Sequence, residues 1–127
     1  MEPRSFIDTH VLIWLFSGNE EEFSLTAKKA IEEHELFISP MSLLEIDYLY
    51  EIGKIEKNSP HIFSDLNQRL GIEIADDFFY KITRQATKIH WTRDPFDRVI
   101  VSHSALHDLP LITRDKHIRK HYKKAIW

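Results

Sequence analysis

Two periods of hydrophobicity alternate along this chain. Short apolar runs (SFI at 5–7, LFIS at 36–39, GIEIA at 71–75, LPLIT at 109–113, KAIW at 124–127) are separated by longer stretches whose apolar positions recur every three or four residues. The first pattern predicts short buried strands and the second amphipathic helices. The predicted helices run from Thr9 to Phe16, ending near Ser17-Gly18; through LTAKKAIEEH, with Ser24 as N-cap; and from Pro40 through MSLLEIDYLYEIGKI, with Gly53 fraying the end. HIFSDLNQRL follows and stops at Gly71, and DFFYKITRQATKI places Phe78, Ile82, Ala86 and Ile89 near one face. DPFDRVIVSHSALH and the short DKHIRKHY complete the set. Ser and Asp before a helix satisfy its free N–H groups, Pro fits its first turn, and Gly ends it. Strands separated by helices imply a mainly parallel sheet covered on both faces, a three-layer α/β/α sandwich.

The 127 residues, 43% hydrophobic, suit a single domain spanning 1–127 with a real core. No run approaches the roughly 18 apolar residues of a membrane span, and no secretory leader is evident, so a cytoplasmic location is expected. Cysteine is absent, which excludes disulfides, thiolate nucleophiles and cysteine zinc sites; the chemistry must use carboxylates, histidines or hydroxyls. The net charge of −3 hides an asymmetry: residues 1–80 hold 6 Lys/Arg against 16 Asp/Glu, and residues 81–127 hold 11 against 4. The basic carboxyl end suits a phosphate-bearing partner, although a solvated helix face has the same composition.

Against that background the aspartates gain a position. FI-D at 6–8 and LIT-R-D at 111–115 are each an apolar strand running into an aspartate just before a helix. In α/β sheets, sites form beyond the carboxyl ends of the strands, so Asp8 and Asp115 are expected on one rim. DPFD adds Asp94 and Asp97 at the start of a third helix. Glu45 falls on the apolar stripe of its helix with Met41, Tyr48, Leu49 and Ile52, while Asp47, Glu51 and Lys54 mark the wet side. Plain structural roles exist for all of them: Asp8, Asp94 and Asp115 as helix caps, Asp97 near the third position of a sound helix start, Glu45 half exposed or in a salt bridge. As a set gathered on one rim, however, they would repel one another and be pushed toward protonation unless a cation neutralises them, and hard oxygen donors favour Mg2+ or Mn2+.

FIDTHVLIWL, SLLEI and DPFDRVIVSHSALHDLPLITRD, in that order, resemble the PIN-domain family, and within it the VapC-type toxins of toxin–antitoxin pairs. The likeness extends over essentially the whole chain, and the late block carries most of its specificity. It implies a small α/β/α fold, a Mg2+ or Mn2+ site and an endoribonuclease restrained by a cognate VapB-like antitoxin. Its acidic set maps onto Asp8, Glu45, Asp97 and Asp115. The chain departs from the usual pattern at Ser102, His103 and Ser104, where alanine, glutamine and alanine are common, and at Asp108, where glycine is frequent.

For such a reaction Asp8 and Asp97 are expected to contact metal directly or through water, with Glu45 and Asp115 completing the shell. Thr9 and Thr113 lie beside the acids; Arg93, Arg98 and Arg114 are candidate phosphate contacts or partners of nearby carboxylates. The pairs His103/His107 and His117/His121 have a zinc-compatible spacing but no clear third ligand, and are read as packing or surface histidines or auxiliary RNA contacts; His10 is expected near the site. A haloacid dehalogenase-like phosphatase would need an aspartate where His10 stands. A PIN-like module that binds RNA or protein without cutting is the alternative. The hydrophobics of HVLIWLF and SLLEIDYLY, including Trp14, Phe16, Tyr48 and Tyr50, either fill the domain or serve a homodimer and an antitoxin groove.

Overall fold

The computed structural model describes residues 2–127. Five strands, β1 (Arg4–Ile7), β2 (Glu35–Ile38), β3 (Glu73–Ile74), β4 (Leu111–Ile112) and β5 (Ala125–Ile126), form one sheet in the order β3-β2-β1-β4-β5. Every neighbouring pair is parallel. The connections supply the helices α1 (Thr9–Ser17), α2 (Leu25–Glu33), α3 (Pro40–Glu51), α4 (Ser59–Leu70), α5 (Phe79–Ala86), α6 (Pro95–Leu106) and α7 (Lys116–His121).

The layering follows from the two-residue period of a strand. Ile7, Leu36, Ile38 and Ile112 point to one face, where they meet Val11, Leu12, Ala27, Ala30, Ile46, Ile62 and Leu66 from α1 to α4. Phe6, Phe37 and Leu111, each adjacent in sequence to a residue of the first set, point to the other face and pack with Ile100 and Val101 of α6 and Ile118 of α7. Each fully buried Leu, Ile or Phe contributes about 1.5–3 kcal/mol, so a strand slipped by one residue would exchange the two cores and lose both. The expected α/β/α architecture is therefore set by alternation on strands only two to four residues long.

The helix ends show why each element stops where it does. Ser24 Oγ accepts from Ala27 N at 3.0 Å, and Gly18 and Gly71, at φ +72° and +67°, close α1 and α4 in the left-handed conformation that glycine adopts without strain. Three expectations change. α5 begins only at Phe79: Phe78 is its cap and 79% exposed, leaving Ile82 and Ala86 as its buried residues and Ile89 half-buried beyond its end. α3 ends at Glu51, short of the periodic stretch, and a 3-10 turn at Glu20–Glu22 follows α1 without any hydrophobic signal. Asp47, placed by periodicity on the wet side, instead accepts from Ser59 N at 2.8 Å and Ser59 Oγ at 2.9 Å, fastening the start of α4 to α3.

The departures in the late block have local explanations. Ser102 and Ser104 are buried in α6 and donate back to the carbonyls of Arg98 and Ile100 one turn earlier, which satisfies hydroxyls that alanine would not carry. Asp108 occupies the turn between α6 and β4 at φ +54°, in the left-handed region where glycine is the easier residue. Lys124 compensates by binding both its carbonyl, at 2.9 Å, and its carboxylate, at 3.0 Å.

Because Asp47 serves two donors of one helix start, Asp47→Ala should destabilise the fold by about 1–3 kcal/mol. Asp47→Asn, which keeps one acceptor, should cost clearly less. Chemical denaturation of the two variants against the parent measures this; equal stability of parent and alanine variant would show the contact to be immaterial.

Candidate active site

The strand order reverses direction at β1, which has β2 on one side and β4 on the other. At such a point the connecting helices leave to opposite faces and open a crevice at the carboxyl ends of the two strands. Asp8 stands there immediately after β1. Its N–H donates to the Ile112 carbonyl at 3.0 Å, tying it to the end of β4, and its carboxylate is 5% exposed. Oδ1 accepts from Thr9 N at 2.8 Å and Oδ2 accepts from Thr113 Oγ1 at 2.7 Å. Each oxygen has one donor and a lone pair left over.

From Thr113 the network continues outward. Its Oγ1 accepts from Asp115 N at 3.1 Å, and Asp115 Oδ1 accepts from Ile118 N at 2.9 Å as the N-cap of α7. On the neighbouring helix, Asp94 Oδ1 accepts from Phe96 N at 2.8 Å and Asp97 N at 3.2 Å, so Asp94 caps α6 as its sequence predicts. Asp97, three residues on in the first turn, makes no side-chain hydrogen bond or ion pair among the described residues. Glu45 projects from the buried side of α3 at 9% exposure, and its Oε1 has no hydrogen-bond partner. Thr9 Oγ1 donates to Ser42 Oγ at 3.2 Å, which locks α1 to α3 beneath the site.

These carboxylates act on one another. Burial, reinforced in turn by the charges of Asp8, Asp94, Asp115 and Glu45, pushes Asp97 up to about 7. Burial likewise raises Asp8, against the hydrogen bonds from Thr113 and Thr9, and burial together with the charge of Asp8 raises Glu45. The fold thus gathers the four acids on one rim, as the sequence suggested, and holds three of them, Asp8, Glu45 and Asp97, above the ordinary carboxylate range. No three of them bring their oxygens within 4.8 Å of one another among the described residues; the group that does so is Asp77, His103 and His107. An oxygen rim of this width, with an orphaned buried Oε1, fits a hard cation that keeps several of its waters better than a fully dehydrated ion.

The surroundings are partly basic. A cleft of about 310 Å³ is lined by Asp8, His10, Trp14, Arg114 and Asp115, which places His10 beside the acids as expected and adds Trp14, whose apolar context had suggested only packing or an interface. Arg114 pairs with Glu22 and lies over the Trp14 ring, 5.7 Å from its centroid. Arg98 donates to the Ala86 carbonyl at 3.2 Å, holding α5 to α6, and is half-buried; its role in the structure is that of a brace. His117 contacts the Trp91 carbonyl and His121 stacks on the Trp91 ring with a 6° interplanar angle, so this pair is a packing cluster. Glu22 and Asp77 carried no usable signal in the sequence, since each lies in an irregular acidic segment whose partner comes from a distant element.

The raised Asp97 predicts a pH effect of definite sign. A carboxyl held at about 7 in the fold and near 3.8 in the unfolded chain keeps its proton longer when folded, so metal-free stability should fall as pH rises from about 4 to 7. Asp97→Asn should flatten that part of the profile and be the more stable protein above pH 7, and Mg2+ or Mn2+ should narrow the gap by neutralising the ionised parent. Thermal melts across pH with and without metal test this; a steeper fall in the asparagine variant would contradict it.

The chain matches the PIN domain over residues 5–124. It is 30% identical over 122 residues to Ribonuclease VapC22 of Mycobacterium tuberculosis, covering 91% of this chain and 89% of the relative. Its fold is similar to a VapBC2 structure from Rickettsia felis bound to a promoter DNA fragment, at TM-score 0.68 and 14% identity over 97% of this chain and 98% of that one. It also resembles a toxin-antitoxin complex from Klebsiella pneumoniae, at TM-score 0.63 and 23% identity over 97% and 96% of the two chains. With a match across nearly its full length and a relative similar over about nine-tenths of both chains, the protein belongs to the PIN-domain family.

Proposed function

We propose that this protein is a metal-dependent endoribonuclease, the toxin of a toxin–antitoxin pair, that hydrolyses RNA phosphodiester bonds. The observation that carries the reading is the rim of Asp8, Glu45, Asp97 and Asp115, of which the buried or half-buried Asp8, Glu45 and Asp97 are raised toward protonation and none forms an ion pair among the described residues. Leaving acids in that condition lowers stability, and the natural compensation is a bound divalent cation. The likeness to a relative named a ribonuclease supports the choice of substrate.

Asp8 and Asp97 would hold Mg2+ or Mn2+, with Glu45 and Asp115 closing the shell directly or through water. When bound, the cation supplies charge for the phosphoryl oxygens and lowers the cost of activating water. The chain's own groups do the rest. Thr113 and Thr9 bond both oxygens of Asp8, which sets its orientation before a substrate arrives. Glu45, with one oxygen unpartnered, can orient the attacking water and accept its proton. Water oxygen then bonds to phosphorus as the bond to the leaving sugar oxygen breaks, and that oxygen takes a proton from solvent or an adjacent acid. His10 and Arg114 border the cleft, and the exposed cations of α7, Lys116, Arg119 and Lys120, extend a basic approach beyond Asp115 toward the RNA backbone.

The same reading assigns two partners. Trp14, Leu15, Phe23, Ile31 and Leu70 line a groove of about 470 Å³ edged by Lys28, Glu32 and Arg69, suited to the apolar anchors and charges of a VapB-like antitoxin segment. Leu44, Tyr48 and Ile52, spaced by four and 58%, 48% and 49% exposed, form an apolar stripe along α3 suited to a second copy of the chain. Trp14 and Phe16 themselves are half-buried against the core, so part of the hydrophobic excess of α1 is absorbed within the domain.

Two aspartates three residues apart separate catalysis from capping. Asp97→Asn should be at least as stable as the parent at pH 7 and lose RNA cleavage by orders of magnitude, because a neutral amide is a poor ligand for a hard cation. Asp94→Asn should cleave nearly as the parent, and Asp94→Ala should lose about 0.5–2 kcal/mol of stability with its cap. Single-turnover cleavage of a structured RNA pool in Mg2+ or Mn2+, with protein freed of antitoxin, reads the difference. Chelation should abolish cleavage and leave circular dichroism unchanged. Undiminished cutting by Asp97→Asn would transfer the protein to the non-catalytic RNA- or protein-binding class.

A further inference from the structure

The α6 helix carries a second cluster on a different side from Asp97. His103 and His107 stand one helical turn apart, and both direct Nε2 at the same oxygen, Oδ2 of Asp77, at 2.7 Å each. Asp77 comes from the segment that joins β3 to α5, 26 and 30 residues away in sequence. The donor atoms of the three side chains lie within 4.8 Å of one another. A histidine pair with zinc spacing but no third ligand in the sequence thus acquires that ligand from the fold.

Hydrogen bonding alone is an uneconomical account of this convergence. Two imidazoles crowd one carboxylate oxygen while the other oxygen of Asp77 takes no hydrogen bond among the described residues. Both rings must then carry their proton on Nε2. A divalent cation seated among these three atoms, with Asp77 drawn back to make room, would receive one lone pair from each. Two imidazole nitrogens and one carboxylate oxygen, with a fourth position left to water, are a characteristic zinc ligand set. Ligands at about 2.0–2.2 Å from a tetrahedral ion lie roughly 3.3 Å apart, so each imidazole–Asp77 separation of 2.7 Å has to open by about 0.6 Å. His107 is free to give, since its side chain is 33% exposed, whereas His103 is fully buried and packs on the Phe6 ring at 5.0 Å. A cleft of about 250 Å³ lined in part by Phe6, Asp76, Asp77, His107 and Leu109 gives the ion its way in.

We propose that Asp77, His103 and His107 form a binding site for a zinc-class divalent ion, separate from the acidic rim, which pins the β3–α5 segment to α6. Six residues separate Asp97 from His103, about 9 Å along the helix axis, so the two sites share one rigid element without sharing a ligand. The absence of an outer acceptor for His103 Nδ1 sets the affinity about 10–100-fold below that of a site with such support. The assignment does not depend on the nuclease reading.

The test uses the full chain without a histidine tag, stripped with chelator and titrated with Zn2+ by calorimetry and with Co2+ by visible absorption. One ion per chain is expected, with the intense cobalt spectrum of a four-coordinate site. Uptake and a zinc-dependent rise in melting temperature should persist in the double variant Asp97→Asn, Asp115→Asn, which disables the acidic rim. His107→Gln and Asp77→Asn, both at solvent-accessible positions, should weaken binding by about 10-fold or more and remove the thermal shift while keeping the fold. Zinc binding that disappears with the acidic pair, that is indifferent to His107→Gln, or that is undetectable in the parent overturns the proposal.

Discussion

The hydrogen bond from Thr113 to Asp8 is the interaction on which the site depends. It joins the ends of two strands that are 105 residues apart in sequence and neighbours in the sheet. Parallel pairing of β1 with β4 sets the two strand ends level, and the N–H of Asp8 on the Ile112 carbonyl holds that register at the last rung. With the register set, each of the helices that follow these strands begins at an aspartate, and the same two aspartates lie on the rim. Capping and a place on the rim are not alternatives here: Asp8 and Asp115 have both, because a carboxylate that accepts one N–H keeps further lone pairs for another partner.

The rim is stable only as part of a larger compromise. Four carboxylates drawn together destabilise a folded chain unless something neutralises them, and the basic side chains near them are turned to other work: Arg114 to Glu22, Arg98 to the end of α5. The hydrophobic cores on the two sheet faces offset this cost, since each is anchored by fully buried Ile, Leu and Phe side chains at neighbouring strand positions. A site destabilised by its own charge and supported by packing from both sides is the arrangement expected where binding, and not folding, satisfies the polar groups.

The α6 helix concentrates most of the chemistry in one element. Its first turn presents Asp97 to the rim, its middle buries serines that satisfy themselves on their own helix, and its last turns carry the two imidazoles that meet Asp77. Packing of α5 along it, with Arg98 donating to the Ala86 carbonyl, makes the β3–α5 segment and the acidic rim two ends of one rigid unit.

Much was determined by the sequence alone, for a physical reason: strands, helix starts and helix stops are local. Alternation at SFI and LFIS, Ser24 before α2, Asp94-Pro95 before α6 and Gly71 after α4 each act within a few residues, and the structure has each of these elements in its place. The rim was legible for the same reason, since in a parallel sheet every strand end followed by a helix falls on one edge. What only the tertiary structure decided is whatever needed a partner from far along the chain. Periodicity set Asp47 on the wet side, but the start of α4 came to it; it set Phe78 on a buried face, but α5 begins one residue later and leaves that ring in solvent. His103 and His107 lacked a third donor until the loop after β3 delivered Asp77. Such contacts depend on loop closure and on the packing of whole elements against each other, and no spacing along the chain encodes them.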